Sequence, residues 1–468
     1  MDRTRLQTHL RHFGQEHVLQ WWDSLSSVQK LQLKKQIESI DLHQLSQLQK
    51  SPEIGRAHQL PENIKPVSAL CLPSDAKEQT RWNDATWRGK QYLSEDKTAV
   101  LLVAGGQGSR LGFPKPKGMF PIGPVTGKSL FQIHAEKVLA LTRRYNTTIP
   151  YLVTTNDTTH DTIEQFFREN QWFGLKKEQV LLFCQPSFPT VDLDNGKLLL
   201  QTKHCLAMSP DGHGGILQGL FQAGIFDQLQ SQGIELLFFH QVDNPLVQVC
   251  DASFVGLHLM ENAEVSTKTV RKQQASDRVG LIAQSDRKMV IIEYSDLPEA
   301  IANQRDQEGQ LQFWTGNTAI HLFQLAFLNR VSKTGSPLPY HRAYKKVDHI
   351  DASGKMCRPG QPNAVKFEQF IFDILPQAER WLVVETKRKN EYAPLKNAHG
   401  HHSPESVQRA LSQLYISWLK KTGTPIPELP TEAFQLEISP LFASDLEELS
   451  LQDISAIRVD APLYLSAR

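Results

Sequence analysis

The chain contains the stretch Leu101-Leu102-Val103-Ala104-Gly105-Gly106-Gln107-Gly108-Ser109-Arg110-Leu111-Gly112, and Lys117 follows it closely. An apolar run of this kind predicts a β-strand, and the glycines after it predict a tight loop. Glycines let backbone N–H groups come close to an anion, and cations beside the loop supply the charge that phosphoryl chemistry needs. We therefore expect Gly105, Gly106 and Gly108 to bind a polyphosphate, with Arg110 and Lys117 beside it.

Two common glycine motifs do not fit this loop. The dinucleotide-binding fingerprint needs G-x-G-x-x-G after a strand, but Leu111 stands where the third glycine should be. A Walker A loop needs G-x-x-x-x-G-K-[ST], and the later stretch Gly123-Pro124-Val125-Thr126-Gly127-Lys128-Ser129 has one spacer residue too few. A nicotinamide-dependent dehydrogenase is therefore disfavoured.

The overall composition is that of a folded protein without a strong charge bias. The chain has 468 residues, of which 40% are hydrophobic and 22% charged, and its formal net charge is +1. The small net charge gives no general attraction to nucleic acid or to an anionic membrane. No apolar stretch of the sequence reaches the length of a membrane span. We expect neither nucleic acid nor membrane as a partner, and the sequence leaves open a monomer or a weak homodimer.

The cysteines and the N-terminal residues point to a cytoplasmic protein. Met1 to Arg5 are followed by no apolar segment of the kind found in secretory signals. The cysteines lie far apart without a C-x-x-C pair, so we expect reduced thiols and neither a zinc site nor a disulfide framework. The tract His399-Gly400-His401-His402 is interpreted as a loop before a helix, with a metal site as the less favoured alternative.

Strand and helix patterns alternate in the middle of the chain. Apolar runs predict strands at 99–104, 151–155, 180–184 and 235–240, and helical spacing predicts helices at 130–142 and 159–170. This alternation implies right-handed crossovers and a mainly parallel sheet, in which ligands bind beyond the carboxyl ends of the strands. Residues 191–199 predict a hairpin with an Asn195-Gly196 turn.

The fold class that follows is α/β, with a Rossmann-like, mainly parallel mixed sheet. Residues 1–95 are expected to form a helical N-terminal region whose connecting arm covers about 50–80. Residues 96–385 are expected to form the central domain, and 386–468 a small C-terminal domain with a helix at about 404–421.

A carboxylate follows one of the predicted strands. Asp243, in the segment Gln241-Val242-Asp243-Asn244-Pro245, comes at the same end of the sheet as the glycine loop. Mg²⁺ in proteins takes one or two carboxylates together with phosphate oxygens and water. Asp243 is therefore a candidate Mg²⁺ ligand, and the alternative is an aspartate that caps a turn.

The glycine loop and Asp243 belong to a longer pattern that resembles a known family. The sequence G-G-x-G-[ST]-R-L-G-x-x-x-P-K, which ends at Pro116-Lys117, resembles the signature loop of the UDP-sugar pyrophosphorylases, most closely the UDP-N-acetylhexosamine pyrophosphorylases. Further segments of the same family match between about 98 and 400: Pro210-Asp211-Gly212-His213-Gly214-Gly215, Val242-Asp243-Asn244, Ile292-Glu293-Tyr294-Ser295, Thr315-Gly316-Asn317, Lys366-Phe367-Glu368 and Pro394-Leu395-Lys396-Asn397. The resemblance implies a nucleotidyltransferase core.

The resemblance also implies roles for particular residues. Arg110 and Lys117 would be catalytic, with Asp243 holding Mg²⁺. The nucleotide would contact Gly105, Gly106, Gly108, Gln185, Gly212 and His213; the sugar Gly280, Glu293 and Asn317; and phosphate Lys366 and Lys396. His213 departs from the pattern, because the hexosamine enzymes usually have Asn there and the UDP-glucose and broad-range branches have a G-H-G version.

The activity implied by the resemblance is a Mg²⁺-dependent transfer of a uridylyl group from UTP to a sugar 1-phosphate. Products would be a UDP-sugar and pyrophosphate. N-acetylglucosamine 1-phosphate is the favoured acceptor, and His213 keeps open a UTP–glucose-1-phosphate uridylyltransferase or a broad UDP-sugar pyrophosphorylase. A nucleotide-sugar binding protein without catalysis is the alternative of another class.

Overall fold

A computed structural model of the protein describes residues 3–50, 63–333, 338–426, 435–454, 457 and 462–467. Part of the predicted connecting arm, residues 51–62, lies outside this range. The α-helices are α1 (Arg3–His12), α2 (Ser27–Ser39), α3 (Leu42–Lys50), α4 (Ala76–Leu93), α5 (Leu130–Tyr145), α6 (His160–Glu169), α7 (Ile216–Gln222), α8 (Ile225–Ser231), α9 (Ala252–Met260), α10 (Glu299–Ala302), α11 (Leu325–Lys333), α12 (Arg388–Glu391), α13 (Pro404–Lys421) and α14 (Leu446–Ser450).

The β-strands occupy the segments between these helices. They are β1 (Lys65–Pro66), β2 (Thr98–Val103), β3 (Tyr151–Thr155), β4 (Val180–Cys184), β5 (Ser187–Pro189), β6 (Val191–Asp192), β7 (Leu200–Thr202), β8 (Cys205–Leu206), β9 (Met208–Pro210), β10 (Leu236–Gln241), β11 (Val265–Arg271), β12 (Leu281–Ser285), β13 (Lys288–Ile292), β14 (Thr315–Gln324), β15 (His341–Lys345), β16 (His349–Ile350), β17 (Met356–Cys357), β18 (Ala364–Glu368), β19 (Trp381–Glu385), β20 (Leu436–Ile438) and β21 (Leu463–Leu465).

The chain forms two compact units, each built from separated segments. The first unit comprises residues 1–59, 185–219 and 336–373, and the second comprises 60–184, 220–335 and 374–468. The domain boundaries at 95/96 and 385/386 stay a prediction. No helix in the described ranges is long and apolar enough to cross a membrane.

The first unit packs α1, α2 and α3 against short antiparallel ladders. Strands β15, β18 and β6 form one small sheet, and β5 pairs with β9. Its core includes Leu6, Leu33, Leu45, Phe188 and Phe367, all buried. The predicted hairpin is present in part, because Val191 and Leu198 face each other in an isolated bridge. Its turn is wider than two residues, since the Asp192 N–H donates to the Lys197 carbonyl at 2.8 Å.

The second unit is built on a large mixed sheet with the order β1-β12-β14-β10-β2-β3-β4. Strands β10, β2, β3 and β4 run parallel to their neighbours in this order. Strand β14 is antiparallel to β10, and β11 joins β14 to β19. The predicted α/β fold class is confirmed. The parallel strand pairs lie in one half of the sheet, from β10 to β4, and in the β11–β19 pair, and the other pairs of the sheet are antiparallel.

Local sequence explains why the elements nearest the glycine loop begin and end where they do. Strand β2 is a continuous apolar run whose residues are almost all buried, as expected for a central parallel strand. Helix α5 begins after Ser129, whose side chain accepts from the Gln132 N–H, and ends at Asn146 in the left-handed region. Helix α13 has Ser403 as its N-cap and Pro404 in its first turn.

Candidate active site

The loop after β2 is closed by its own backbone hydrogen bonds. The Gly108 N–H donates to the Lys115 carbonyl at 3.1 Å, and the Lys117 N–H donates to the Gly106 carbonyl at 3.0 Å. These bonds bring the start and the end of the loop together, so that Lys117 lies beside the glycines. Arg110 is exposed and has no carboxylate partner in the part of the chain that the structure describes.

Two glycines in this loop are there for different reasons. A Cβ at Gly108 would come within 2.9 Å of the Phe113 side chain, so the packing of the loop itself excludes a side chain there. A Cβ at Gly106 would meet no atom within 4 Å, and Gly106 is exposed. The protein's own packing therefore does not require glycine at 106, and the bare backbone there leaves room for a ligand.

Asp243 and two lysines form the charged centre of the second unit. The Lys117 ammonium lies 3.1 Å from Asp243 Oδ2, and the Lys396 ammonium lies 3.6 Å from the same oxygen. The Asp243 side chain is 10% exposed and that of Lys117 is 17% exposed. The predicted meeting of the glycine loop and Asp243 at one end of the sheet is thus present in the structure.

The two lysines keep Asp243 ionised in spite of its burial. Burial alone would raise the pKa of this carboxyl, but the Lys117 and Lys396 ammonium groups lower the pKa to about 2. In return, the Asp243 carboxylate raises the pKa of Lys396 above its ordinary value. Asp243 is therefore an anion over the whole physiological range, as a metal ligand has to be.

Helix α5 holds the backbone on both sides of Asp243. His134 Nε2 lies 3.0 Å from the Val242 carbonyl, and the Lys137 ammonium donates to the carbonyls of Pro245 and, at 2.7 Å, Val247. His134 and Lys137 lie one turn apart on the same helix face. Burial lowers the pKa of His134 to about 3 and that of Lys137 to about 7.

A buried ionic cluster fixes the segment that ends at Lys396. The Lys268 ammonium on β11 lies 2.8 Å from Asp251 Oδ2 and 2.5 Å from Glu391 Oε1. Thr386 donates its hydroxyl to Glu391 Oε2 at 2.7 Å. The side chains of Lys268 and Glu391 are 1% and 4% exposed. Because Glu391 lies five residues before Lys396 in the chain, this cluster anchors the start of the loop that carries the second lysine.

The turn that follows the glycine loop is held by a residue near the C-terminus. Glu437, on β20, accepts hydrogen bonds from the backbone N–H groups of Val125 at 2.9 Å and Thr126 at 2.8 Å. It also accepts from the Thr126 hydroxyl at 2.7 Å. This turn leads directly into α5, so Glu437 helps to position the helix that holds Asp243.

The three residues assigned to the sugar lie on or beside strands of the second unit: Gly280 just before β12, Glu293 just after β13 and Asn317 on β14. The Asn317 N–H donates to the Gly280 carbonyl at 2.7 Å. A Cβ at Gly280 would lie 3.6 Å from Glu293 Oε1, so the Glu293 carboxylate is close to that backbone. After Asp243, the Glu293 carboxylate also raises the pKa of Lys396. Glu293, which follows β13, is therefore close enough to the charged centre to interact with it.

The residues assigned to the nucleotide base lie in the first unit. The Gln185 side chain is buried and donates to the Gly212 carbonyl at 3.2 Å. The backbone of Asp211 accepts from the Gln369 N–H, and the Gly214 N–H donates to the Gln369 carbonyl at 2.8 Å. A Cβ at Gly212 would come 2.3 Å from the Gln369 carbonyl oxygen. The glycine at 212 is therefore needed for packing against the chain's own backbone.

His213 has a defined place within this unit. Its Nδ1 accepts a hydrogen bond from the Ile371 N–H at 3.0 Å, and its ring packs beside Phe370 and Phe372. An asparagine side-chain oxygen can accept a hydrogen bond in the same way. His213 therefore has a structural partner, the Ile371 N–H, that the sequence did not indicate.

Lys366, which is assigned to phosphate, lies on β18. It is half-buried, and burial lowers its pKa.

Several contributors to the site were absent from the sequence predictions. His134 and Lys137 could have been found from their three-residue spacing on a helix with an apolar face. Lys268 gave only a weak signal, as a lysine within a strand-like segment. Within the described ranges, no three His, Cys, Asp or Glu side chains are grouped closely enough to bind a metal. Asp243 is therefore not part of such a group among the described residues.

A Rossmann-like mixed sheet with a cationic glycine loop at the end of its central strand is the core of a nucleotidyltransferase. The family described as UTP–glucose-1-phosphate uridylyltransferase matches residues 46–416. This chain belongs to that family, and the predicted resemblance to UDP-sugar pyrophosphorylases is confirmed.

Individual relatives agree with the family assignment. The chain is 34% identical over 430 residues to UDP-N-acetylhexosamine pyrophosphorylase-like protein 1 of Xenopus tropicalis, with 88% of this chain and 83% of the relative covered. It is 32% identical over 436 residues to the UDP-N-acetylglucosamine pyrophosphorylase of Saccharomyces cerevisiae, with 89% and 91% covered. The crystal structure of the Trypanosoma brucei uridine diphosphate N-acetylglucosamine pyrophosphorylase shares the fold, with a TM-score of 0.82, 24% identity and 100% and 98% coverage.

Replacing Lys268 with methionine should strongly destabilise the second unit. The change leaves the Asp251 and Glu391 carboxylates buried without their cation, and breaking such a cluster costs about 3–5 kcal/mol. The free energy of unfolding, measured by urea titration, should fall by that amount. Arg81→Met removes one partner of the exposed Arg81–Glu261 pair and is the control, with an expected loss of about 1 kcal/mol or less. Equal losses for the two variants would contradict the assignment.

Proposed function

We propose that this protein joins UTP and N-acetylglucosamine 1-phosphate to give UDP-N-acetylglucosamine and pyrophosphate. Membership of the uridylyltransferase family supports the reaction class. The observation that carries the proposal is the charged centre, in which Lys117 from the glycine loop and Lys396 flank Asp243. Such a centre can bind a metal with triphosphate oxygens and can stabilise negative charge at the reacting phosphate.

The proposed reaction is a direct substitution at the α-phosphorus of UTP. An oxygen of the sugar phosphate forms a bond to that phosphorus while the bond to the bridging oxygen of pyrophosphate breaks, and its electron pair leaves with pyrophosphate. One phosphoanhydride replaces another, so the reaction runs in both directions. The sugar phosphate is already an anion and needs no general base. We assign catalysis to positioning and electrostatics, without a covalent enzyme intermediate.

Each residue has a role in this scheme that its surroundings support. Lys117 stabilises the charge that builds on the α-phosphate, because it is fixed in the loop that would hold the triphosphate. Arg110, exposed at the same loop, offsets charge on the departing pyrophosphate. Lys396 contacts phosphate from the other side of Asp243, and Gly105, Gly106 and Gly108 supply backbone donors.

The sugar and the base are assigned to the other predicted residues. In the second unit, Gly280, Glu293 and Asn317 contact the sugar, and Glu293 accepts hydrogen bonds from hydroxyls. In the first unit, Gln185, Gly212 and His213 contact the nucleotide, and Lys366 contacts phosphate. The bond from Ile371 to His213 Nδ1 supports a positioning role for this histidine rather than that of a general base.

Mg²⁺ is the metal that fits the residues present. Asp243 is an ionised hard oxygen ligand, and Mg²⁺ commonly takes a single protein carboxylate together with phosphate oxygens and water. When bound, Mg²⁺ neutralises charge on the phosphates. Lys117 and Lys396 already offset the charge of Asp243, so the negative phosphates would have to accompany the cation into this site.

We also propose a cellular location, the substrates and an oligomeric state for this protein. Cys71, Cys184, Cys205, Cys250 and Cys357 all lie within the described residues and none forms a disulfide there. Unpaired thiols of this kind support a cytoplasmic location. UTP and a sugar 1-phosphate are the proposed substrates, and a monomer or a weak homodimer the proposed state.

Comparing four acceptors tests the proposed substrate directly. Purified protein with UTP and Mg²⁺ should release pyrophosphate fastest, by kcat/KM, from N-acetylglucosamine 1-phosphate. The glucose, galactose and N-acetylgalactosamine 1-phosphates complete the set. A preference for glucose 1-phosphate would favour the alternative that His213 keeps open. Release from none of them, with UDP-sugar still bound, would instead indicate a nucleotide-sugar binding protein.

Lys117→Ala should lower kcat by about 10²- to 10³-fold while KM for UTP changes much less, because the ammonium acts mainly on charge in the transition state. Initial rates over a range of UTP concentrations measure both parameters. Lys115→Ala is the matched control, since Lys115 is exposed in the same loop and has no side-chain partner among the described residues. Near-normal turnover in Lys117→Ala would show that the assigned role is wrong.

Asp243→Asn should raise the Mg²⁺ concentration needed for half-maximal rate by about tenfold or more, because a neutral amide is a poor Mg²⁺ ligand. Titration of the initial rate with Mg²⁺ at saturating substrates measures this shift. Asp227→Asn, an exposed change on α8, should leave the titration unchanged. If both variants have the wild-type Mg²⁺ dependence, Asp243 is not the metal ligand.

A further inference from the structure

A large cavity lies in the second unit, on the side of the Asp243 segment that α5 covers. Its volume is about 740 Å³, which lies within the range of small-molecule sites. Helices α4, α5 and α13, the segment 247–252 and residues 444–450 contribute to its wall. It is lined by none of the residues assigned above to the nucleotide, the sugar or the metal.

Most of the charged side chains in the wall form ion pairs, whereas two of its lysines do not. Arg144 pairs with Asp445 at 2.5 Å and with Glu447 at 2.8 Å, and Lys90 pairs with Glu447 at 2.5 Å. Asp251, also in the wall, is paired with Lys268, which lies outside it. Within the described residues, Lys137 and Lys421 have no carboxylate partner. These two lysines are therefore the cationic groups of the wall to which an anion could pair without displacing a carboxylate of the described residues.

Lys137 is the most informative of these groups. Its ammonium donates to the carbonyls of Pro245 and Val247, and no described residue accepts its third N–H. A partly buried ammonium without a carboxylate is costly, and an anionic ligand would offset that cost. Lys421, at the exposed end of α13, supplies a second cation.

One part of the wall is suited to a flat, apolar body, and polar side chains line the remainder. Trp418, Tyr145, Leu141 and Leu414 line the cavity and present aromatic and aliphatic surface. Aromatic side chains pack well against planar rings. A ligand that satisfies both parts of the wall has an aromatic ring system and an acidic group.

We propose that this cavity binds a small aromatic anion, whose acidic group lies on the Lys137 and Lys421 ammonium groups and whose ring packs against Trp418. Because Lys137 also holds the backbone that follows Asp243, an occupant acts on the segment that carries the candidate metal ligand. The site is then an effector site. Its effect on rate rests on the proposed function, whereas the binding itself does not.

A fluorescence titration with 8-anilino-1-naphthalenesulfonate tests the site in the full-length protein. We expect saturable binding of one probe per chain, which saturating UTP with Mg²⁺ does not displace. Lys137→Met should weaken binding by about tenfold or more, because it removes the charge partner. Lys421→Met should weaken it several-fold, and Lys420→Met, an adjacent exposed lysine outside the cavity, should leave it unchanged.

The outcomes separate this proposal from the proposed function. Wild-type affinity in both Lys137→Met and Lys421→Met, displacement by UTP, or no saturable binding would overturn the site. If Lys137→Met does not fold, the probe affinity of Lys421→Met is compared with that of Lys420→Met. Equal affinities in these two variants would then overturn the site. Saturating probe should also change the kcat of uridylyl transfer in the wild-type protein. An unchanged kcat would overturn the effector role, and a protein without transferase activity would still give the binding result.

Discussion

The ion pair between Lys117 and Asp243 is the contact on which the site in the second unit depends. It joins the glycine loop after β2 to the end of β10, two parallel neighbours in the sheet. Lys396 adds a second positive charge to the same carboxylate oxygen. A buried carboxylate between two cations stays ionised, and in the proposed reaction the same two cations would contact the triphosphate. The ion pair thus ties the glycine loop to the end of β10.

Other elements support the segments that carry Asp243 and Lys396, and a backbone hydrogen bond within the glycine loop holds Lys117. His134 and Lys137 on α5 hold the backbone beside Asp243, and the Lys268 cluster anchors the segment before Lys396. Most of these supporting contacts are hydrogen bonds or ion pairs in buried surroundings, where they are hard to replace by water. The chemistry assigned to the site needs little more than fixed charges, so a rigid frame is a large part of what the fold supplies.

The local elements of this fold could be predicted from the sequence, because they depend on short-range patterns. The apolar runs at 151–155 and 180–184 became β3 and β4 with the predicted bounds, and Ser403-Pro404 began α13 as expected. The carboxyl ends of parallel strands lie at the same edge of a sheet, so the position of Asp243 after a predicted strand indicated that it lies near the glycine loop. The large antiparallel part of the sheet could not be placed, since strand order is set by packing between segments far apart in the chain.

The supporting polar contacts were out of reach for the same reason. Lys268 and Glu391 form an ion pair although they lie more than a hundred residues apart in the chain. The local sequence around either residue does not indicate the other as its partner. The segment 212–215, with three glycines, was predicted to contact the nucleotide, yet Gly212 is also required for packing against the chain's own backbone at Gln369. The sequence showed only that His213 departs from the pattern of the hexosamine enzymes. The structure shows that its ring accepts a hydrogen bond from the Ile371 N–H, a contact that depends on the folded chain.

Glu437 places a condition on the order in which this protein can mature on the ribosome. The turn at Val125 and Thr126 is synthesised early, but the carboxylate that caps it emerges some three hundred residues later. The segments that form β2 and β3 are also synthesised before the carboxylate that caps the turn between them. The turn at Val125 and Thr126 therefore gains these hydrogen bonds only after residue 437 has been synthesised, and truncation before residue 437 would remove them.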